Sequence, residues 1–250
     1  MLKKDRKLII SIILIILVLL LITITIYAKG KEKEDIEENI NEDELEINFN
    51  KKFNNLGNEY VSTLYQIHEE ESGKYKIDAN IPYVYIADQI NNEVNKEIND
   101  IFVTKLLQVI RSSQTYTRLT IDYAVSSSNK IVSIIIRCTL KEGNNAQRTI
   151  IKTYNYNLET LQKVEILEII PEVKRENIQN KIYQKIQKQI NKENTIISQG
   201  FPIYRRDAES EMYLLENATE FYIENDILYI IYSYGNNNYT SEVDLIINKI

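Results

Sequence analysis

The sequence predicts an α+β fold in which antiparallel sheets are covered by two long helices and preceded by one transmembrane helix. An uncharged apolar run occupies residues 8–28, and this length suffices for a helix to span a bilayer. Residues 88–110 and 172–191 repeat apolar side chains every three or four positions, as amphipathic helices do. The other segments after residue 58 are typical of strands. They occur in blocks, without the strict alternation of a parallel α/β fold.

Residues 1–28 have the composition of a membrane anchor. Four basic side chains lie within residues 1–7, ahead of the 21 uncharged residues at 8–28. The positive-inside tendency places such a tail in the cytoplasm and the rest of the chain outside. A cleaved signal peptide has a shorter apolar region and ends in a small-x-small motif. Here Ile26 stands two positions before Ala28, where that motif needs a small residue. We therefore predict a single-pass protein of the cell membrane, anchored through residues 8–28.

Residues 29–58 are predicted to form an acidic stalk. Residues 30–50 contain nine acidic and two basic side chains, which favours a solvated tether. The whole chain has a formal net charge of −6, and residues 51–250 are close to balanced. No nucleic-acid partner is expected, because such binding needs a concentrated basic face.

Residues 59–160 are predicted to form the first half of an extracytoplasmic domain. Alternating apolar and polar residues indicate strands, and residues 127–129 are a hairpin signal between two of them. Pro82 places its strand at an edge or a bulge, and Asp88 can cap the helix at 88–110. The predicted strands are 59–68, 74–86, 115–126, 130–140 and 148–157.

Residues 161–250 are predicted to form the second half, which is not expected to fold separately from the first. A short apolar piece at 164–170 stops at Pro171, and the helix at 172–191 follows. Lysines 181, 185, 188 and 192 form a stripe on this helix, either a solvated face or a contact for anionic polymer or lipid. The predicted strands are 213–215, 219–223, 227–234 and 241–247.

Three segments resemble a known bacterial extracytoplasmic family. They read YKIDANIPYVYIADQINNEVNKEIND from residue 75, TYNYNLETLQKVEILEII from residue 153 and FYIENDILYIIYSYGNNNYTSEVDLII from residue 221. The family consists of paired domains of unknown function. They form the outer part of lysozyme-sensing anti-sigma factors and the non-catalytic N-terminal part of a peptidoglycan deacetylase. The resemblance covers about residues 59–249.

Two departures limit what the resemblance implies. Residues 1–7 are too short for the cytoplasmic sigma-binding segment of the anti-sigma members. His68 is the only histidine, so the deacetylase metal site, with its Asp-Asp and His-x-x-x-His motifs, has no counterpart. The resemblance therefore implies an outward-facing binding domain on a membrane tether.

Tyrosine and asparagine side chains in two of these segments are the candidate binding residues. Aromatic platforms bind proteins and sugars, although tyrosine also favours half-buried strands. Gly235 opens an asparagine-rich turn, which is either a binding loop or a plain strand connection. The candidates are Tyr83, Tyr85, Tyr234, Asn236, Asn237, Asn238 and Tyr239.

The residue inventory gives little support for catalysis. The acids after His68 are consecutive and point in different directions, so no metal site is predicted. Cys138, the only cysteine, shares a strand face with isoleucines and is interpreted as a small buried hydrophobe. A carboxylate pair for glycoside hydrolysis cannot be located from sequence. No catalytic residue, metal or cofactor is predicted.

The sequence thus favours a non-catalytic, membrane-anchored binding or sensing domain. The expected partner is peptidoglycan or an extracellular protein such as lysozyme. A cell-wall hydrolase with a carboxylate pair and a structural envelope protein are the alternatives, and the oligomeric state is left open.

Overall fold

The computed structural model describes most of the chain beyond the predicted stalk, namely residues 53, 58–200, 203–236 and 239–250. The predicted cytoplasmic tail (1–7), the predicted anchor (8–28) and nearly all of the predicted stalk (29–58) lie outside the described residues. Within the described part of the chain, every helix is too short or too polar to span a membrane.

Six strands form the first sheet in chain order. They are β1 (Val61–Glu71), β2 (Tyr75–Val84), β3 (Thr117–Ser128), β4 (Ile131–Glu142), β5 (Arg148–Asn157) and β6 (Gln162–Lys163). Neighbouring strands are antiparallel except β2 and β3, which are parallel. The register aligns Ala79, Ile121, Cys138 and Ile150 across β2 to β5.

A helical crossover joins the two parallel strands, as parallel pairing requires. It consists of α1 (Asp88–Ile98), a π-helical turn (Asn99–Val103) and α2 (Thr104–Ser112). Most residues of its buried stripe are four positions apart. In an α-helix, each step of four residues exceeds a full turn by about 40°, so the buried face would gradually turn around the helix. The wider π-helical turn takes up this drift and keeps the stripe on the sheet. The stripe consists of Ile90, Val94, Ile98, Phe102, Leu106 and Val109.

Three antiparallel strands form the second sheet: β7 (Glu220–Glu224), β8 (Ile227–Asn236) and β9 (Tyr239–Lys249). The helices α3 (Ile166–Ile169) and α4 (Glu172–Ser198) precede them in the chain. Isoleucines 178, 182 and 186 of α4 are buried in the same apolar cluster as residues of all three strands.

The outer edge of β7 rests on the face of the first sheet. The Phe221 backbone N–H donates to Thr153 Oγ1 over 3.0 Å, and Asn155 Nδ2 donates to the Phe221 carbonyl over 2.9 Å. The Ile223 N–H donates to Ser133 Oγ over 3.2 Å. Side chains of β4 and β5 therefore satisfy the backbone groups that β7 would offer to a further strand.

The predicted fold class is wrong. Strands make up 44% of the described residues, so the molecule is mainly β-sheet, without two long helices over a sheet. The first predicted helix is two α-helices of 11 and 9 residues separated by a π-helical turn. In α4, only three of 27 residues are buried. Apolar spacing shows which residues face a core, but not how much of a sheet a helix covers.

Three details also differ from the sequence expectation. The sheets are not wholly antiparallel, because the crossover makes β2 and β3 parallel. Residues 213–215, predicted as a strand, form no strand, because Tyr213 ends one 3₁₀-helical turn (Glu211–Tyr213) and Leu215 begins the next (Leu215–Asn217). Ala87, not Asp88, is the N-cap of α1. The division of the domain into 59–160 and 161–250 stays a prediction.

Candidate functional site

The first pair of predicted tyrosines lies at the end of β2. The ring centroids of Tyr83 and Tyr85 are 4.9 Å apart and the rings are tilted by 50°. Tyr85 is 53% exposed, and Ser62 Oγ on β1 donates to its hydroxyl over 3.0 Å. This pair is a small aromatic surface at a sheet edge.

The second group surrounds the turn between β8 and β9. Asn236 Oδ1 accepts a hydrogen bond from the Tyr239 backbone N–H over 3.2 Å, which closes the turn. Gly235 has a φ of +128°, and a Cβ there would lie 2.9 Å from the Ser241 Cα. Only glycine fits this position without strain. The predicted Asn237 and Asn238 lie outside the described residues.

The first sheet keeps the two groups apart. The Arg148 guanidinium donates to the Asn236 carbonyl, and Arg148 aligns across the sheet with Ile77 on β2. Tyr83 lies six positions further along β2, which at about 3.3 Å per residue is about 20 Å. The predicted residues therefore belong to two surfaces, and the turn at β8–β9 is the richer one.

Tyr204 and Arg206, which were not among the predicted residues, lie beside Tyr234. The Tyr204 ring stacks on the Tyr234 ring at 6.2 Å between centroids and 30° between planes. It meets the Tyr239 ring edge-on at 6.1 Å and 69°. Tyr204, Tyr234 and Tyr239 are hereafter the tyrosine cluster. Offset and edge-on contacts of this kind are the favoured aromatic geometries.

A buried ion-pair network centred on Arg206 packs against the tyrosine cluster. The Arg206 guanidinium lies 3.9 Å from the Tyr234 ring centroid, and its side chain is 1% exposed. It pairs with Asp244 of β9 and, over 2.5 Å, with Glu193 of α4. The Tyr213 hydroxyl donates to Asp244 Oδ2 over 3.1 Å. The network fixes the Tyr234 ring, because a charge buried this deeply needs its partners in place.

The Tyr234 hydroxyl is held as well. It donates to Glu242 Oε2 over 2.7 Å. Burial, and secondarily this hydrogen bond, raises the pKa of Tyr234 well above its usual value of 10. The phenol therefore stays neutral at physiological pH and offers a ring face, not a base.

Other residues singled out in the sequence have ordinary environments. His68 Nδ1 lies 2.7 Å from Asp78 Oδ1 at the surface, and burial raises the pKa of the Cys138 thiol to about 12. Lys181 Nζ donates to the Ile247 carbonyl over 2.7 Å, so the lysine stripe is not wholly a solvated face. Among the described residues, no group of three His, Cys, Asp or Glu side chains could hold a metal ion.

Sequence reasoning missed Tyr204 and Arg206 because their partners are distant in the chain. Arg206 meets Asp244 across 38 positions, and no periodicity reports such a contact. The segment around Arg206 lies outside any strand or helix, so pattern analysis had no element in which to place it. In the sequence, Arg206 is marked only by nearby aromatic residues such as Tyr204 and Tyr213. This pattern is too common to identify a site residue.

Comparison with known proteins returned structural neighbours only. No family model matches the chain, and no curated protein does. A DUF3298 family protein from Pseudomonas aeruginosa PAO1 has a TM-score of 0.43 and 11% identity, covering 73% of this chain and 86% of its own. A DUF3298 family member from Bacteroides fragilis NCTC 9343 has a TM-score of 0.41 and 11% sequence identity, and the match covers 78% of this chain and 91% of its own.

These structural neighbours are domains of unknown function. A similarity of this size supports no inference about the activity, ligand or partner of this chain. The relationship to anti-sigma factors and to the deacetylase stays a prediction.

Proposed function

We propose that the protein is a membrane-anchored extracytoplasmic binding or sensing domain without catalytic activity. Its ligand is a cell-wall glycan or an extracellular protein such as lysozyme. The tyrosine cluster is the observation that supports this proposal, together with the uncharged apolar run at residues 8–28.

The tyrosine cluster suits binding because its rings are held in place before a ligand arrives. The Tyr234 ring contacts the Arg206 guanidinium and the Tyr204 ring, and its hydroxyl donates to Glu242, so little side-chain entropy remains to be lost on binding. Tyrosine offers a large amphipathic contact area with few rotatable bonds. The faces suit a sugar ring or an apolar protein side chain.

The proposed lack of catalysis has support from the carboxylates beside the cluster. Glu242 accepts from the Tyr234 hydroxyl, Asp244 from Arg206 and Tyr213, and Glu193 from Arg206. A glycosidase needs two carboxyl groups that face a scissile bond as acid and as nucleophile or base. These three carboxylates are instead engaged in the support of the rings.

The test is a binding assay with the full-length protein in detergent micelles. Purified peptidoglycan sacculi are sedimented with the protein, and hen lysozyme is presented separately on a biosensor surface. Tyr239→Ala is expected to weaken retention by about tenfold or more, the effect of truncating an aromatic anchor. Tyr65→Ala is the matched control, because Tyr65 is 42% exposed on β1 and lies outside the cluster.

Each outcome bears on the proposal. Retention that falls with Tyr239→Ala but not with Tyr65→Ala supports it and identifies the ligand class. Soluble muropeptides released from the sacculi would overturn the non-catalytic part. Retention of neither ligand, or equal losses in the two variants, would overturn binding through the cluster.

A further inference from the structure

Three cationic side chains stand in one row across the first sheet. Lys76 on β2 pairs in register with Arg118 on β3, and Arg118 pairs with Lys141 on β4. Residues paired on neighbouring strands point to the same face, and the strands are about 4.8 Å apart. Like charges opposite one another destabilise a sheet. This arrangement needs a compensating partner.

The two lysines at the ends of the row have polar partners, whereas Arg118 at its centre has an aromatic neighbour. Lys76 Nζ lies 3.2 Å from Glu70 Oε2 on β1, and Lys141 donates to a backbone carbonyl of the following turn. Arg118 lies 5.7 Å from the Tyr116 ring centroid. Among the described residues no carboxylate is within ion-pair distance of Arg118. In the described part of the chain, the central charge therefore has an aromatic ring beside it and no carboxylate partner.

A depression of about 350 Å³ opens where the row meets β1. Its walls include two acids, but both are engaged: Glu70 with Lys76 over 3.2 Å and Asp78 with His68 over 2.7 Å. Arg118 and Thr120 also line it. An entering group thus meets an exposed guanidinium and a threonine side chain, while the Glu70 carboxylate is paired with Lys76 and the Asp78 carboxylate lies against the His68 ring.

We propose that this row is a binding site for a phosphate group, centred on Arg118. The planar guanidinium donates two parallel hydrogen bonds to an oxyanion, and the Lys141 ammonium group, which pairs with no carboxylate among the described residues, adds a second positive charge. A phosphate group suits the site because its several acceptor oxygens can accept hydrogen bonds from Arg118 and Lys141 at the same time. The phosphate belongs to a free small anion or to a phosphodiester polymer. This site is independent of the tyrosine cluster and of the function proposed for it.

The test uses the full-length protein in detergent micelles and isothermal titration calorimetry. Inorganic phosphate is one probe and poly(glycerol phosphate) is the other, both in chloride buffer of fixed ionic strength. Arg118→Gln is expected to weaken binding by about tenfold or more, the loss of charge-assisted hydrogen bonds. Arg111→Gln removes the same charge from an exposed position on α2 and is expected to change affinity by less than about twofold.

The two probes identify the source of the phosphate. Binding of both supports a site for the phosphate group itself, and binding of the polymer alone supports a phosphodiester ligand. No binding of either probe would overturn the proposal. So would equal losses in Arg118→Gln and Arg111→Gln, because attraction would then be nonspecific.

A thermal unfolding measurement in phosphate-free buffer separates a ligand site from a structural role. Removing the central charge relieves the repulsion in the row, so Arg118→Gln is expected to unfold at the same temperature as the parent protein or higher. Added phosphate is expected to raise the unfolding temperature of the parent and not of the variant. A variant that unfolds earlier than the parent would mean that Arg118 has a structural role, and would contradict the proposal.

Discussion

Two arginines in this molecule have the same chemistry in opposite settings. Arg206 is buried, lies on the Tyr234 ring and pairs with two carboxylates. Arg118 is exposed, lies beside the Tyr116 ring and has lysines as its strand neighbours. The difference separates two roles of a cation: Arg206, paired with carboxylates, holds the fold together, and Arg118, with no carboxylate partner among the described residues, is the one that we propose binds a ligand.

Removing the buried charge is the strongest way to test this contrast. Arg206→Met leaves Asp244, which is 4% exposed, as an uncompensated buried charge. Breaking a buried pair in this way costs about 3–5 kcal/mol. Urea unfolding should show the loss, while Arg205→Met, at the exposed neighbouring position, should change stability by less than about 0.5 kcal/mol. Equal stability of the two variants would contradict a structural role for Arg206.

Distorting the turn between β8 and β9 at Gly235 should have the next largest effect on stability. Gly235→Ala places a Cβ 2.9 Å from the Ser241 Cα at a φ of +128°, and such strain costs about 1–3 kcal/mol. Gly73→Ala is the control, since its φ is also positive but a Cβ there meets nothing within 4 Å. Chemical denaturation should rank Gly235→Ala as the less stable variant, and the reverse order would show that the turn can relax.

The pH dependence of stability probes the same buried region. Burial raises the pKa of Tyr213 from 10.0 to about 12. Between pH 10 and about 12, the folded state therefore keeps the Tyr213 proton while the unfolded state loses it. The contribution of this proton to the unfolding free energy is complete below pH 10 and disappears as the pH rises through about 12. Tyr213→Phe should flatten the fall of the unfolding free energy above pH 10. An unaltered slope in Tyr213→Phe would refute the contribution.

The smallest predicted effect has the opposite sign and belongs to the exposed arginine. Arg118→Glu would place opposite charges beside each other across β2 to β4, which stabilises a sheet by about 0.2–1 kcal/mol. Arg111→Glu should destabilise, because a negative charge is unfavourable in the last turn of a helix. Differential scanning calorimetry can compare the two, and a less stable Arg118→Glu protein would contradict the repulsion inferred for the row.

The parts of the fold set by local pattern could be predicted, and the parts set by distant contacts could not. The strand predicted at 148–157 is β5 (Arg148–Asn157), because alternation of side chains is a local property. The parallel pairing of β2 and β3 depends on where a helical crossover returns the chain. The period of four in that crossover predicted a helix but not its π-helical turn.

The candidate site divides in the same way. Tyr234 and Tyr239 could be selected because the Gly235 turn between them is visible in the sequence. Arg206 could not, since its partners Glu193 and Asp244 meet only in the folded chain. The cation row was equally hidden, because Lys76, Arg118 and Lys141 become neighbours through strand register alone.

The side chains that cover the outer edge of β7 have a consequence for self-association. The segment Phe221–Ile223 is apolar and rich in β-forming residues, the type of sequence that templates cross-β stacking when its edge is bare. Thr153, Asn155 and Ser133 occupy its hydrogen-bonding groups, so no foreign strand can dock there while the two sheets stay together. These hydroxyl and amide side chains take the place that a strand of another molecule would occupy, so a β-forming apolar segment can lie at the edge of its sheet without offering its backbone to that strand.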